Sequence, residues 1–81
     1  MQNKPFGEGD SMVYTNAKEF GELIRQRRKE LGYTQSFLSE FSGLSISFLS
    51  DLENGKKTIQ MEKAILVANL LGMDCRIENR E

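Results

Sequence analysis

The segment that decides the fold is "TQSFLSEFSGLSISFLSDLENGKK", residues 34–57. It contains two short apolar patterns of helical period, which are separated by Ser42-Gly43-Leu44. Leu49 and Leu52 follow Gly43 at spacings of six and nine residues. This spacing predicts a helix-turn-helix, in which two helices meet at a wide angle across a glycine-containing turn. The second helix of such a unit lies in the major groove of DNA and presents its N-terminal residues to base edges.

The helix after this turn begins with small side chains. Ser45, Ser47 and Ser50 can donate hydrogen bonds to phosphates or base edges, and Ile46 can contact a thymine methyl group. Small residues also allow the helix backbone to approach DNA closely. Without such a turn, a serine-rich helix start is more often a simple N-cap. The serines therefore indicate a base-reading helix only in combination with the turn that precedes them.

Apolar residues recur with helical period on both sides of this segment. A first helix is predicted after the N-cap Asn16, with Glu19 completing a capping-box pair and Gly32 ending the helix. Thr34 and Ser45 are the predicted N-caps of the second and third helices. A fourth helix is predicted to end at Gly72. The residues expected to face the core are Phe20, Leu23, Ile24, Leu31, Leu38, Phe41, Leu49, Leu52, Ile59, Met61, Ile65, Ala68 and Leu71.

The C-terminal segment has a different period. Met73, Cys75 and Ile77 alternate with charged residues, which predicts a strand over 73–81. Residues 12–14 form a second candidate for a very short strand. The predicted organisation is a flexible tail at 1–11, a helical domain at 12–72 and the strand at 73–81.

Composition excludes several classes of protein. Eighty-one residues allow one domain. The chain has no histidine and a single cysteine, so neither an internal disulfide nor a structural zinc site is expected, and no cofactor is predicted. No glycine-rich phosphate loop or paired-carboxylate motif indicates an enzyme. No apolar run approaches the roughly 20 residues that span a bilayer. A prokaryotic cytoplasmic protein, associated with the nucleoid, is the expectation.

Residues 20–72 resemble the Xre/Cro-type repressors. The matching motifs are Thr34-Gln35, Leu38-Ser39, Gly43-Leu44-Ser45, Leu49-Ser50 and Leu52-Glu53-Asn54-Gly55-Lys56. The resemblance implies a mainly α, lambda-repressor-like bundle of four to five helices. The chain departs from the family pattern at Ser39, where alanine is preferred; serine has nearly the same size, so the same fold is expected.

The resemblance also implies a function for particular residues. Arg28 and Glu53 are expected to form a structural ion pair. Asp51 occupies a base-reading position, but its charge repels phosphates, so both a base contact and a solvent-exposed position stay open. Phe48 follows the base-reading positions and is expected either to cover the first helix or to touch the sugar-phosphate backbone. The residues expected to contact double-stranded DNA are Gln35, Ser45, Ile46, Ser47, Ser50, Asp51, Asn54, Lys56 and Lys57.

The predicted C-terminal strand is similar to that of HipB-type antitoxins, a subgroup of Xre repressors. An isolated strand exposes unpaired backbone groups. Two copies are therefore expected to pair across a two-fold axis, with Cys75 and Ile77 as dimerisation residues. A dimer reads a palindromic operator whose half-sites lie about one helical turn apart, near 34 Å. The resemblance implies an autoregulatory repressor with a HipA-like kinase toxin as partner.

Two other functions remain open from the sequence. A phage-type repressor or a restriction–modification controller would use the same fold, with a helical dimer contact instead of a sheet. A protein-interaction module without DNA binding would fit the sequence pI of about 5.5 and the acidic Asp51 on the reading helix. Gln35, Lys56 and Lys57 argue against this last function, because they occupy positions that face phosphates in the family.

Overall fold

A computed structural model describes residues 13–79, which contain four helices. They are α1 (Ala17–Glu30), α2 (Gln35–Ser42), α3 (Ile46–Glu53) and α4 (Met61–Leu70). The mainly helical fold is confirmed, and the described part of the chain contains no fifth helix. The predicted flexible tail at 1–11 lies outside the described residues. None of the described helices has the length and apolar content needed to cross a bilayer.

Helix α1 begins where its capping residues predict. Asn16 Oδ1 accepts a hydrogen bond of 2.8 Å from the Glu19 backbone N–H. The Glu19 carboxylate does not return to Asn16; it accepts bonds from the backbone N–H and hydroxyl of Thr15, at 2.7 and 2.9 Å. Both bonds from Thr15 hold the pKa of Glu19 below its ordinary value, and the bond from the backbone N–H has the larger effect. The N-cap is therefore at the predicted residue, and only the return bond of the capping box is displaced by one residue, to Thr15.

The turn between α2 and α3 depends on Gly43. Its φ of 79° lies in the left-handed region that residues with a Cβ rarely adopt. The Gly43 N–H donates to the Ser39 carbonyl at 2.9 Å, and the Ser39 hydroxyl donates to the Leu44 carbonyl at 2.6 Å. Ser39 therefore adds a bond across the turn that the alanine preferred at this position could not make.

Every helix contributes to one apolar core. Its fully or nearly buried members are Ile24, Leu38, Leu49, Leu52, Ala64, Val67, Ala68 and Leu71. Two residues predicted to face inward do not: Phe41 is 57% exposed and Met61 is 73% exposed. Phe41 stacks on Phe37, with ring centroids 5.9 Å apart. The prediction is wrong for Met61 because this residue begins α4, whose buried face starts one turn later at Ala64.

Helices α1 and α3 approach each other at Gly21, which is buried in α1. A Cβ at this position would overlap the carbonyl oxygen of Leu52 and lie 2.8 Å from that of Glu53. The backbones of the two helices are therefore in direct contact at the C-terminal end of α3. This contact sets the distance between α1 and the helix that follows the turn.

The Gly21→Ala variant should lower the free energy of unfolding by about 1–3 kcal/mol, because the added methyl group must push α3 away from α1. Urea unfolding followed by circular dichroism measures the loss. Gln26→Ala, at an exposed site of the same helix, is the matched control and should change stability by less than about 0.5 kcal/mol. Equal stability of both variants would show that the two helices separate without cost.

The predicted C-terminal strand is wrong for the single chain. Residues 73–79 have no regular secondary structure, and the same holds for residues 13–14 of the strand candidate at 12–14. Met12 and residues 80–81 lie outside the described residues. A strand exists only through backbone hydrogen bonds to a neighbouring strand, and the described part of this one chain supplies none. The alternation itself is partly present: Met73 and Cys75 pack against the core, whereas Ile77 is wholly exposed.

Candidate nucleic-acid interface

The interface is anchored by an ion pair between α1 and α3. Arg28 Nε donates to Glu53 Oε2 at 2.6 Å, and Arg28 Nη2 donates to Glu53 Oε1 at 2.9 Å. Both residues are buried, with 8% and 6% of their surface exposed. The hydrogen bonds to Glu53 raise the pKa of Arg28 above its ordinary value and outweigh the opposite effect of burial. The guanidinium and the carboxylate thus meet in a two-bond geometry that fixes their orientation.

Two further bonds extend this ion pair to the start of α2. Arg28 Nη1 donates to the Tyr33 carbonyl at 2.9 Å, and Gln35 Nε2 donates to Glu53 Oε1 at 3.1 Å. Gln35, expected at a phosphate, is therefore half-buried and oriented by the Glu53 carboxylate. Its amide nitrogen carries a second N–H, so this contact leaves one donor available. The network joins the end of α1, the start of α2 and the end of α3.

The Arg28→Met variant should lose about 3–5 kcal/mol of unfolding free energy, because the buried Glu53 carboxylate loses its cation and keeps only the hydrogen bond from Gln35. The double variant Arg28→Met/Glu53→Leu contains neither charge and should recover much of this loss. Urea unfolding of the wild type and both variants at about pH 7 gives the comparison. A double variant as unstable as the single one would mean that packing, rather than the unpaired charge, accounts for the loss.

The outward face of α3 carries mainly small and polar side chains. Leu49, Leu52 and Glu53 are buried against the rest of the protein. On the opposite face, Ser47 and Asn54 are exposed about two turns apart, together with Ser45 and Ile46 at the start of the helix. Ile46 is 46% exposed, although its side chain is apolar. Apart from Ile46, the side chains on this face are small or polar, so the helix backbone can approach a groove closely.

Several of these polar groups also have partners within the helix. The Ser45 oxygen accepts the backbone N–H of Phe48 at 3.0 Å, which confirms the predicted N-cap and leaves the hydroxyl hydrogen available as a donor. The Ser50 oxygen accepts a bond from Asn54 Nδ2 at 3.4 Å, and Ser50 is half-buried. Of Ser45, Ser47 and Ser50, only Ser47 has a side chain without a hydrogen bond within the described residues. It is therefore the serine best placed to exchange water for a base edge.

Asp51 pairs with a lysine just beyond the helix. Lys56 Nζ lies 3.4 Å from Asp51 Oδ2, and both side chains are about half exposed. A pair this exposed is worth about 0–1 kcal/mol, so a phosphate can compete for Lys56. Lys57 is exposed, and within residues 13–79 it has no ion pair. The two lysines predicted to face phosphates thus differ, because only Lys56 is held by a carboxylate.

The side chain of Phe48, a residue of α3, approaches the start of α4. It is half-buried, and the Lys63 Nζ atom lies 5.8 Å from the centre of its ring. Together with Asp51 and Lys56 these residues line an open cavity of about 240 Å³. Sequence reasoning left the position of Phe48 undecided and missed Lys63. No local pattern could have revealed Lys63, because the two residues belong to different helices.

The basic residues within positions 25–29 have different structural roles. Arg28 belongs to the buried ion pair. Arg27 Nε donates to the Leu71 carbonyl at 2.9 Å, which satisfies a backbone group at the C-terminal end of α4, and Arg27 also forms an ion pair with Glu30. Arg25 and Lys29 are exposed on α1. The sequence identified the first of these two structural arginines but not the second.

The two predicted dimerisation residues occupy different environments. Cys75 is half-buried against the core, and burial together with the neighbouring Asp74 charge raises the pKa of its thiol, partly offset by a hydrogen bond with Tyr14. Ile77 has no cover from its own chain and is fully exposed. Within one chain, therefore, Cys75 faces inward and Ile77 faces outward.

Comparison with known proteins gives consistent results. Residues 24–77 match the helix-turn-helix family. An uncharacterized HTH-type transcriptional regulator of Sinorhizobium fredii is 38% identical over 60 residues, which cover 74% of this chain and 76% of that protein. The ImmF control region 10 kDa protein of Bacillus phage phi105 is 31% identical over 62 residues, which cover 76% of this chain and 69% of the phage protein.

A solved structure has a similar fold. In the complex of a HipB variant with the O2 20-mer, the HipB chain superimposes with a TM-score of 0.76 at 15% sequence identity, covering 90% of this chain and 100% of that one. At this identity the likeness concerns the fold. Because the family match extends from α1 through α3 to the C-terminal segment, and the relatives include transcriptional regulators, the chain belongs to the Xre-type helix-turn-helix family of DNA-binding, non-enzymatic transcriptional regulators.

Proposed function

We propose that the protein is a dimeric repressor that binds a palindromic operator upstream of its own gene. The observation that carries this proposal is the rigid presentation of the outward face of α3: its small polar residues are exposed, while its other face is fixed by Leu49, Leu52 and the ion pair of Glu53. Ser45, Ile46, Ser47 and Asn54 lie in the major groove, and Ser50 borders this surface. Asp51 accepts a hydrogen bond from a cytosine amino group once a phosphate has drawn Lys56 away.

Phosphate contacts supply the affinity in this arrangement. The helix pair α2–α3 is flanked in the sequence by Gln35 at its start and by Lys56 and Lys57 after its end. The second N–H of Gln35 reaches one phosphate, and Lys56 and Lys57 reach others. Such contacts position α3 on the DNA but carry no sequence information. The acidic pI of the whole chain does not oppose this arrangement, because binding depends on the local distribution of charge.

Gel shift and footprinting on the DNA upstream of the gene, at two salt concentrations, test the proposal. The expected result is a protected palindrome with half-sites about 34 Å apart and a steep dependence on salt. Ser47→Ala should weaken discrimination at one base pair of each half-site by about 1–3 kcal/mol. Lys56→Gln should weaken binding to every sequence and lower the salt slope by about 0.9 per protomer.

These two variants serve as controls for each other, since one removes a base contact and the other a phosphate contact. An equal effect of Ser47→Ala on all sequences would contradict its assignment to base reading. Absence of any protected site would favour the remaining function, a protein-interaction module on the same fold.

The exposed C-terminal segment supports a homodimer. Its backbone groups have no strand partner in one chain, and Ile77 is wholly exposed. Val13, at the other end of the described chain, is 79% exposed. Both ends of the described chain therefore place an apolar side chain in solvent. Pairing of two copies through the C-terminal segments buries Ile77 and supplies the missing backbone bonds.

Ile77→Asp should dissociate the dimer, raising its dissociation constant at least about a hundredfold, because an isoleucine from each copy leaves the interface. Sedimentation over a range of concentrations measures the change. Met61→Asp, which also replaces an exposed apolar residue, should leave the dimer intact. A wild-type protein that stays monomeric at high micromolar concentration would refute this interface.

The same dimer supports the antitoxin role, with a HipA-like kinase as partner, because the HipB-type resemblance is carried by the C-terminal segment as well as by the helices. Co-purification with the product of a neighbouring kinase gene tests this role. The phage phi105 relative favours the alternative, a phage-type repressor. For that alternative we expect a dimer that persists in the Ile77→Asp variant, because its contact is made by helices, and no kinase partner.

A further inference from the structure

The loop after α3 packs directly on the first turn of α1. Gly55 has a φ of 79°, and a Cβ at this position would lie 2.6 Å from the Lys18 Cα and 3.1 Å from its backbone nitrogen. No side chain fits between these two segments. The contact therefore brings Lys18, which belongs to α1, beside Lys57, which follows the reading helix.

The two lysines line one open cavity. Its volume is about 460 Å³, and its other lining residues are Asn16, Ala17 and Gly55. The lining contains two cations and no carboxylate. Within residues 13–79 neither Lys18 nor Lys57 has an ion pair or a side-chain hydrogen bond, and both are exposed. The charge of this cavity is therefore uncompensated in the described part of the free protein.

Within residues 13–79 no carboxylate forms an ion pair with either lysine. Glu19, the first acidic residue of α1, accepts both of its hydrogen bonds from Thr15. The other cavity that borders this loop contains the Asp51 carboxylate, which already contacts Lys56. Of the two cavities beside the loop, only the one with Lys18 offers two lysines without an acidic side chain.

We infer that this cavity binds a phosphate of the DNA backbone, with Lys18 and Lys57 as its two cations. The inference deepens the proposed function and rests on it. DNA is the source of the phosphate because the cavity is continuous with the proposed interface: Gly55 and Lys57 directly follow the reading helix, and a helix in the major groove has the phosphates of the groove walls beside it. Lys18 thereby adds α1, outside the helix-turn-helix unit, to the DNA-binding surface.

The side chain of Lys18 can be changed without disturbing the fold. It makes no described hydrogen bond or ion pair, and the atoms nearest to a Cβ at Gly55 are the Lys18 Cα, Cβ and backbone nitrogen. Glutamine retains most of the length of the side chain and is a good helix former. A change in DNA binding by Lys18→Gln therefore reports the lost charge.

The test measures binding of the full chain to a duplex of about 30 base pairs, both the upstream DNA and an unrelated sequence, over a series of salt concentrations. The variants are Lys18→Gln, Lys57→Gln and the pair together. The double variant should lower the salt slope by about 0.9 per protomer and weaken binding by about fivefold per protomer at about 0.15 M salt, for both duplexes, because one phosphate contact is lost. Each single variant should produce a part of this change. Gln26→Glu is the matched control, because it makes the same change in net charge at an exposed site of the same helix.

The outcomes separate the two proposals. A Lys18→Gln effect equal to that of Gln26→Glu, with a steep wild-type slope, would refute the α1 phosphate site and leave the repressor function standing. An effect of Lys18→Gln on only one duplex would also refute it, because a backbone phosphate is present in every sequence. A wild type that shows no salt-dependent binding to either duplex would overturn both the site and the proposed function.

Discussion

The paired hydrogen bonds between Arg28 and Glu53 are the constraint on which the interface depends. Replacement of a buried ion pair by apolar residues often leaves the free energy of unfolding unchanged. The main effect of this pair is therefore on the relative orientation of the helices and not on net stability. A guanidinium and a carboxylate meet in one planar geometry, and this geometry fixes the rotation of α3 relative to α1. Gly21 sets the distance between the same two helices. Angle and distance are thus determined by different residues, and α2 is joined to both through Gln35.

The features that the sequence predicted well are those whose chemistry is local. Asn16, Thr34 and Ser45 each cap a helix by accepting a backbone N–H three residues later, so the residue type and its position suffice. Gly43 is equally local, since its backbone conformation excludes most other residues. The apolar positions of α3 were predicted correctly because a short helix between two turns has only one face to bury. The Arg28–Glu53 pair, by contrast, was predicted from the family resemblance and not from spacing.

Features that involve distant parts of the chain could not be read from the sequence. The bond from Arg27 to Leu71 spans 44 residues, and the contact between Lys18 and Gly55 joins the first helix to a later loop. The C-terminal alternation indicated which residues share a face but could not show whether a neighbouring strand exists. Phe41 was placed in the core because helical period identifies an apolar stripe without identifying what covers it. Each of these features depends on contact with a second segment of the chain, which a local sequence pattern does not identify.

The division of α3 into an anchored and an open face has an evolutionary consequence. Only Leu49, Leu52 and Glu53 of its eight residues are buried, and exposed positions of a helix usually tolerate substitution with changes of about 0.5 kcal/mol or less. Under the proposed function, mutations on the open face change the recognised DNA sequence while the stability of the fold is preserved. A gene copy of this regulator would then acquire a new operator through a few substitutions between residues 46 and 54, without compensating changes in the core.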